Sequence, residues 1–124
     1  MSISDQSSRS ATAVVDALFE IIDSGCWDDL PFVFAADSIY ERPGYEPFVG
    51  LARIEHFYRY ERAVGSGRHY LERVVGAGDS AACWGRFVGV SRTGAPLDER
   101  FSDTYQIRDA QIVTRRTYFF RPAI

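Results

Sequence analysis

The sequence contains no lysine, so all 14 of its basic residues are arginines. This excludes a catalytic Schiff-base lysine and the phosphate-binding lysine of a P-loop. An arginine-only basic complement is also typical of GC-rich bacterial genomes. The net charge is −3 and no block of basic residues occurs, which argues against a nucleic-acid partner.

Cysteine and histidine are scarce. Cys26 and Cys83 match neither a metal-binding spacing nor a CxxC redox motif, and we expect two reduced thiols. The only histidines, His56 and His69, occupy unrelated positions and lack partners at metal-ligand spacing. We therefore predict no metal site, and nothing in the sequence calls for another cofactor.

No apolar run approaches the roughly 20 residues that a membrane-spanning helix needs, and the N-terminus lacks the pattern of a signal peptide. We expect a soluble, cytoplasmic protein without a membrane partner. The 124 residues suffice for one domain. Residues 1–9 are polar and predicted to be flexible, and residues 10–124 are predicted to form that domain.

Aromatic residues are abundant at 15% of the chain, and in small domains they often line a cavity as well as a core. Helical periodicity and breaker residues predict the elements of the first half. They are a helix over 10–24 ended by Gly25, a short helix after Asp28, a strand over 38–43, and a helix over 51–64 ended by the glycines of 65–67.

The second half reads as four strands joined by short turns, over residues 68–75, 81–91, 97–107 and 112–120. Short turns predict an antiparallel meander. Helices must cover one face of this sheet. The chain is therefore predicted to be an α+β cone, with a curved sheet wrapped around helices and open at one end. Gly85 and Gly89, which alternate with Phe87, suggest curvature or a close approach of a ligand.

Residues 97–107, LDERFSDTYQI, carry the most informative pattern. Alternation puts Phe101, Asp103 and Tyr105 on one otherwise apolar face. A buried carboxylate without partners costs several kcal/mol, so it is either paired or protonated. Asp103 is therefore either an acid or base in a pocket or one half of a plain buried pair. Glu99 shares its face and is expected at the pocket mouth.

Other polar residues leave alternatives open. Tyr40 and Arg42 share a face of the first strand, where they either stabilise negative charge on a substrate or form a core tyrosine and a rim salt bridge. The rim partner would be Glu46 or Asp103. His69 starts a predicted strand, where a solvent-edge position is common, and it is retained as a pocket candidate.

Other strand residues indicate which side chains face inward and which face outward. Either Arg115 or Arg116 on the last strand faces inward, depending on a bulge. An outward patch on the middle strands, made of Tyr70, Glu72, Trp84 and Arg86, is typical of an interface between two copies.

The element order α–α–β–α–β–β–β–β resembles the nuclear-transport-factor-2-like superfamily, a cystatin-like cone. The resemblance is to SnoaL-like and ketosteroid-isomerase-like proteins within it, and covers nearly the whole chain. It rests on DSGCWDDLPFVFAADSIYERPGYEPFVG, IEHFYR and FSDTYQIRDAQIVTRRTYFF. It implies a homodimer and an acid–base enzyme, although the superfamily also includes non-catalytic binders.

Matched residue by residue, the resemblance transfers only part of a known site. Asp103 falls on the oxyanion-hole aspartate of ketosteroid isomerases, but Arg42 replaces their base and Leu18 their tyrosine. Thr117 falls near the final acid of the Asp–Arg–Asp arrangement in limonene-epoxide-hydrolase relatives. SnoaL-like aldol cyclases need only one catalytic acid, which Asp103 satisfies.

The resemblance therefore implies a cofactor-independent cyclase, isomerase, dehydratase or epoxide-opening enzyme. Its substrate would be a hydrophobic small molecule such as a polyketide intermediate. Asp103 would move the proton, while Arg42 and Tyr40 would stabilise negative charge. The alternative is a non-catalytic domain for hydrophobic-ligand binding or assembly. The predicted substrate-binding residues are Leu18, Tyr58, His69, Phe87, Phe101, Tyr105 and Phe119.

Overall fold

The computed structural model describes residues 9–122 and 124. Its helices are α1 (Ala11–Ser24), a 3₁₀ helix (Trp27–Phe32) and α2 (Leu51–His56), which continues as a π-helical turn (Phe57–Glu61). Its strands are β1 (Phe34–Glu41), β2 (Phe48–Val49), β3 (Val64–Ala77), β4 (Ser80–Ser91), β5 (Pro96–Arg108) and β6 (Gln111–Phe119). One curved sheet has the order β2-β1-β6-β5-β4-β3, which confirms the α+β prediction.

Helix α1 follows the predicted bounds because both of its ends are capped. The Ser10 side chain accepts a hydrogen bond from the Ala13 amide at 3.1 Å, and Gly25 adopts the left-handed conformation at φ 70°. An apolar stripe that includes Leu18 and Phe19 packs α1 against the inner face of β3 and β4. The last turn of α1 therefore places Asp23 against the inner face of the sheet, next to β3.

Residues 1–8, most of the segment predicted to be flexible, lie outside the described residues. Arg9, the last residue of that segment, is held in place, since its guanidinium donates to the carbonyls of Phe32 and Ala110.

The predicted antiparallel meander of β3 to β6 is confirmed. Along β5 the inner row of Glu99, Phe101, Asp103, Tyr105 and Ile107 is buried, while Asp98, Arg100 and Thr104 are exposed. Asp103 lies opposite Cys83 of β4 and Thr117 of β6. Its carboxylate is therefore held at the centre of the sheet, beneath the helices.

The prediction that residues 65–67 end a helix is wrong, because they belong to β3. A side chain at Gly67 would overlap the Phe87 ring, and one at Gly85 would overlap the backbone carbonyl of Tyr70. These glycines let β3 and β4 approach closely. The group that lies against Gly85 is therefore the neighbouring strand β3, and no ligand is needed to explain this glycine. The preceding helix ends at Glu61, where the Arg62 amide bonds to the Phe57 carbonyl five residues back at 2.9 Å.

The first strand was predicted over 38–43 but runs from Phe34 to Glu41. Its early start depends on parallel pairing of Phe34 with Ile112 of β6, a partner distant in sequence. The two-residue strand β2, which pairs with Ile39 and Tyr40 of β1, was not predicted.

The outer face of the sheet carries the predicted aromatic patch. Tyr70, Glu72 and Trp84 are exposed, and Arg86 pairs there with Asp98. Tyr118 of β6, which was not part of the predicted patch, is exposed beside them. Homodimerisation through this face remains a prediction. Within the described part of the chain, no helix is both long and apolar enough to cross a membrane.

Candidate active site

Asp103 is fully buried and saturated with hydrogen bonds. Its Oδ2 atom accepts from the Tyr105 hydroxyl at 2.6 Å and from Nε and Nη2 of Arg115 at 3.0 and 2.9 Å. Its Oδ1 atom accepts from the Thr117 hydroxyl at 2.6 Å. Four donors, two of them from a guanidinium, are the complement of an ionised carboxylate.

The structure shows which arginine of β6 faces inward. Arg115 is buried and also donates from Nη1 to the Tyr58 hydroxyl at 2.7 Å. Arg116 points outward and pairs with Glu41 at 2.7 Å. Glu99 is buried and pairs with the exposed Arg121 at 3.0 Å, and its expected place at the pocket mouth remains a prediction.

Arg42 has neither of the salt-bridge partners predicted for it. It donates from Nη1 to the Tyr40 hydroxyl at 2.8 Å and from Nε and Nη2 to the Ile124 carbonyl at 3.3 and 3.2 Å. Arg115 takes the place beside Asp103 because β5 and β6 are neighbours, whereas β1 lies one strand further away.

The three predicted catalytic residues nevertheless share one hydrogen-bond chain. Thr117 gives its only hydroxyl proton to Asp103, so the Tyr40 hydroxyl, 2.8 Å away, donates to Thr117 and accepts from Arg42. Burial raises the pKa of Tyr40, but the guanidiniums of Arg115 and Arg42 outweigh it and the net pKa is lowered. The hydrogen bonds thus run in one direction, from Arg42 on the cavity wall through Tyr40 and Thr117 to Asp103.

A cavity of about 20 Å³ lies inside the cone, with room for about one water molecule. Five predicted pocket residues line it, namely Tyr58, His69, Phe87, Phe101 and Phe119. Arg42, Arg62, Arg115, Thr117 and Ile124 complete the wall. Leu18, Tyr40, Asp103 and Tyr105 are buried in the surrounding core and do not line it.

His69 forms a dyad with Asp23 that sequence reasoning missed. The ring Nδ1 lies 2.5 Å from Asp23 Oδ1, and the His69 amide donates to Oδ2 at 2.9 Å. Because the carboxylate accepts both bonds, we assign the proton of neutral His69 to Nδ1 and leave Nε2 free to accept one. The rings of Phe19 and Phe87, each centred 4.7 Å away, hold the imidazole in place.

His69 does not lie at the solvent edge, the alternative position considered for a residue that starts a strand. The residue lies inside β3, on its inner face, and its side chain is only 10% exposed. The cause is the extension of β3 through the glycines before it. His56, by contrast, lies on the surface of α2.

Two cavity donors have unused capacity. The Tyr58 hydroxyl accepts from Arg115, and its own proton has no acceptor among the described residues. Burial raises the pKa of Tyr58, which therefore stays a donor. Arg62 lies over the rings of Tyr58 and Phe87, at 5.4 and 5.7 Å from their centroids. The cavity thus combines a neutral imidazole with hydroxyl and guanidinium donors.

The buried thiol plays no part in this arrangement. Burial raises the pKa of Cys83 to about 12, which makes it unreactive. Cys26 is exposed and also free.

The stability of the protein should fall when the pH drops below about 6.5, the usual pKa of histidine. Burial lowers the pKa of His69 in spite of its bond to Asp23, so the unfolded chain binds a proton that the folded protein resists. The stabilisation is complete above the unfolded pKa and is lost as the pH falls towards the folded pKa. Urea unfolding at pH 7.5 and 5.5 measures the change.

Two variants isolate this effect. His69→Gln should flatten the pH dependence between about 5.5 and 6.5, whereas His56→Gln, which changes an exposed histidine, should leave it intact. An unchanged slope in His69→Gln would assign the dependence to other groups.

An open, curved sheet wrapped around helices is the nuclear-transport-factor-2-like fold. The SnoaL-like domain model matches residues 15–115 of the chain. The chain therefore belongs to the SnoaL-like domain family. No protein of curated function matches the sequence significantly.

Solved structures share this fold. A nuclear-transport-factor-2-like protein from Anabaena variabilis is 21% identical, with 98% of this chain and 95% of that chain covered and a TM-score of 0.78. A candidate SnoaL-like polyketide cyclase from Jannaschia sp. is 16% identical, with 90% of both chains covered and a TM-score of 0.76. An epoxide hydrolase of the limonene-epoxide-hydrolase type from Mycobacterium tuberculosis is 16% identical, with 88% of this chain and 81% of that chain covered and a TM-score of 0.77. At such identities the likeness establishes the fold alone.

Proposed function

We propose that this protein is an acid–base enzyme that removes a proton from carbon next to a carbonyl group in a small molecule. The observation that carries the proposal is the His69–Asp23 dyad on the wall of a cavity that also presents Tyr58 and Arg62. Burial keeps the pKa of His69 below its usual value, so the imidazole is neutral and basic at pH 7.

The proposed step needs only side chains of this chain. Nε2 of His69 takes the proton, and the electron pair of the broken C–H bond moves to the carbonyl oxygen to form an enolate. The Tyr58 hydroxyl and the Arg62 guanidinium donate hydrogen bonds to that oxygen as its charge develops. Return of the proton to another carbon gives isomerisation, loss of a leaving group gives elimination, and attack on a second carbonyl gives cyclisation.

In this proposal the residues first suggested by the sequence support the site. Asp103 holds Arg115, whose Nη1 atom in turn fixes and polarises the Tyr58 hydroxyl. Arg42 and Tyr40 are hydrogen-bonded through Thr117 to the same carboxylate and help to hold it in place. Asp103 is a positioning residue rather than the proton carrier because four donors already occupy it and it does not line the cavity.

Membership of the SnoaL-like family and fold likeness to a candidate polyketide cyclase and an epoxide hydrolase support an enzymatic role. A second candidate is a binding domain without turnover, because Asp103, the acid first suggested by the sequence, is occupied by four donors and does not line the cavity. A volume of about 20 Å³ does not admit a polyketide in either case. For catalysis, Phe119 and Ile124 at one end of the cavity would have to move aside.

Proton exchange distinguishes the two candidates. Wild-type protein is incubated in D₂O with a panel of small ketones and keto acids, and loss of the proton next to the carbonyl is followed by NMR. We expect exchange above the buffer rate with the wild-type protein and with His56→Gln, and none with His69→Gln. Binding of panel members without exchange would support the non-catalytic candidate.

A further inference from the structure

Arg62 is a buried cation without a counterion among the described residues. It is 8% exposed, its Nε atom is buried without a hydrogen-bond partner, and its side chain forms no ion pair with any of them. Burying an unpaired charge costs several kcal/mol. Arginine keeps its proton in proteins, so the charge itself must be compensated.

The surroundings of Arg62 increase this excess of positive charge. Arg42 and Arg115 line the same cavity, while His69 is neutral. Of the nearby carboxylates, Asp103 is bonded to Arg115 and Asp23 to His69. Burial together with these two guanidiniums lowers the pKa of Arg62, in spite of Tyr58 and Tyr40. Arg42 and Arg62 therefore both lack a side-chain carboxylate partner among the described residues, but the three bonding nitrogens of Arg42 are all satisfied, whereas Nε of Arg62 is not.

We infer that the cavity is an anion-binding site in which Arg62 receives the carboxylate group of the substrate on one edge of its guanidinium, while the Tyr58 hydroxyl serves the carbonyl oxygen. A planar guanidinium matches a planar carboxylate, and bonds between ionised partners are the strong ones. The volume of about 20 Å³ holds about one water molecule, so even the smallest carboxylate requires an outward movement of Phe119 or Ile124. This deepens the proposed function, because it makes the substrate a keto acid, but its test requires no turnover.

Formate, the smallest carboxylate, is the probe. It is titrated into full-length protein at constant ionic strength, and the ¹⁵N–¹H signals of the arginine Nε groups are followed by NMR. We expect a saturable shift of the Arg62 signal and no response to formamide, which has the same shape without the charge. Saturable formamide binding of equal strength would overturn the proposal, as would the absence of a saturable response to formate.

Substitutions assign the binding to Arg62. Arg62→Gln should weaken formate binding by about tenfold or more, the value of a hydrogen bond to a charged group. If the glutamine variant fails to fold, Arg62→Lys replaces it as the test. Because lysine keeps the charge but lacks the planar guanidinium, this variant should retain only part of the affinity for formate. Arg68→Gln is the matched control, since Arg68 is exposed on β3, on the Tyr70 ring. Equal affinity of wild type and Arg62→Gln or Arg62→Lys would also overturn the proposal.

The formate and proton-exchange experiments fail independently. If formate binds but no substrate exchanges its proton, the anion-binding site at Arg62 is supported and the role of His69 as a catalytic base is wrong. If proton exchange depends on His69 but the protein does not bind formate, the proposed enzymatic function stands and the proposed carboxylate site at Arg62 is wrong.

Discussion

Replacing Arg115 with methionine is expected to lower the free energy of unfolding by about 3–5 kcal/mol, a large part of the 5–15 kcal/mol typical of a domain. The substitution removes both guanidinium bonds to Asp103 and the bond to the Tyr58 hydroxyl. Asp103 would keep only the hydroxyls of Tyr105 and Thr117, and its charge would remain buried without a counterion. Urea unfolding at pH 7.5 measures the loss.

A neighbouring arginine and a double variant test the cause. Arg116→Met removes an exposed pair with Glu41 on the other face of β6, and we expect no resolvable shift of the unfolding midpoint. Asp103→Leu added to Arg115→Met should restore part of the stability, because it removes the stranded charge. Equal losses in Arg115→Met and Arg116→Met, or additive losses in the double variant, would contradict a buried ion pair.

Asp23→Asn is expected to reduce proton exchange by about 10²–10⁴-fold, the range that a general base contributes. The carboxylate of Asp23 accepts from both the amide and Nδ1 of His69. An asparagine that accepts from the amide turns its NH₂ group towards Nδ1, which moves the ring proton to Nε2. The imidazole then has no lone pair facing the cavity.

The matched control is Asp16→Asn, which changes an exposed aspartate on the same helix and should leave exchange unaltered. The affinity for formate should survive in Asp23→Asn, because the anion site does not use that carboxylate. Exchange that persists in Asp23→Asn but disappears in His69→Gln would show that the base works without its aspartate.

Short-range sequence patterns predicted most of the elements of the fold. Ser10 and Gly25 fix the ends of α1, and the alternation on β5 correctly predicts that Phe101, Asp103 and Tyr105 face inward. Gly65 and Gly67 were wrongly read as the end of a helix, because these glycines are required by contacts between strands and not by the local conformation of the chain. They make room for β4 and the Phe87 ring, which no pattern within a single strand reveals.

The site was predicted less completely, because its decisive pairs join distant elements. Two signals for the dyad were nonetheless present. Asp23 follows Phe19 by four residues and so shares the inward stripe of α1, and His69 alternates with the outward Tyr70. Arg62 gave no such signal, since its burial depends on the π-helical turn that ends α2.

The parallel pairing of β1 with β6 makes the order of synthesis matter. Phe34 precedes its partner Ile112 by 78 positions in the sequence, and contacts between such distant residues form slowly. A nascent chain therefore carries β1 with one bare edge while α2 and the first three strands of the meander are translated. Tyr40, Thr117 and Asp103 cannot meet until β6 docks between β1 and β5, so the wall of the cavity is the last part of the molecule to be assembled.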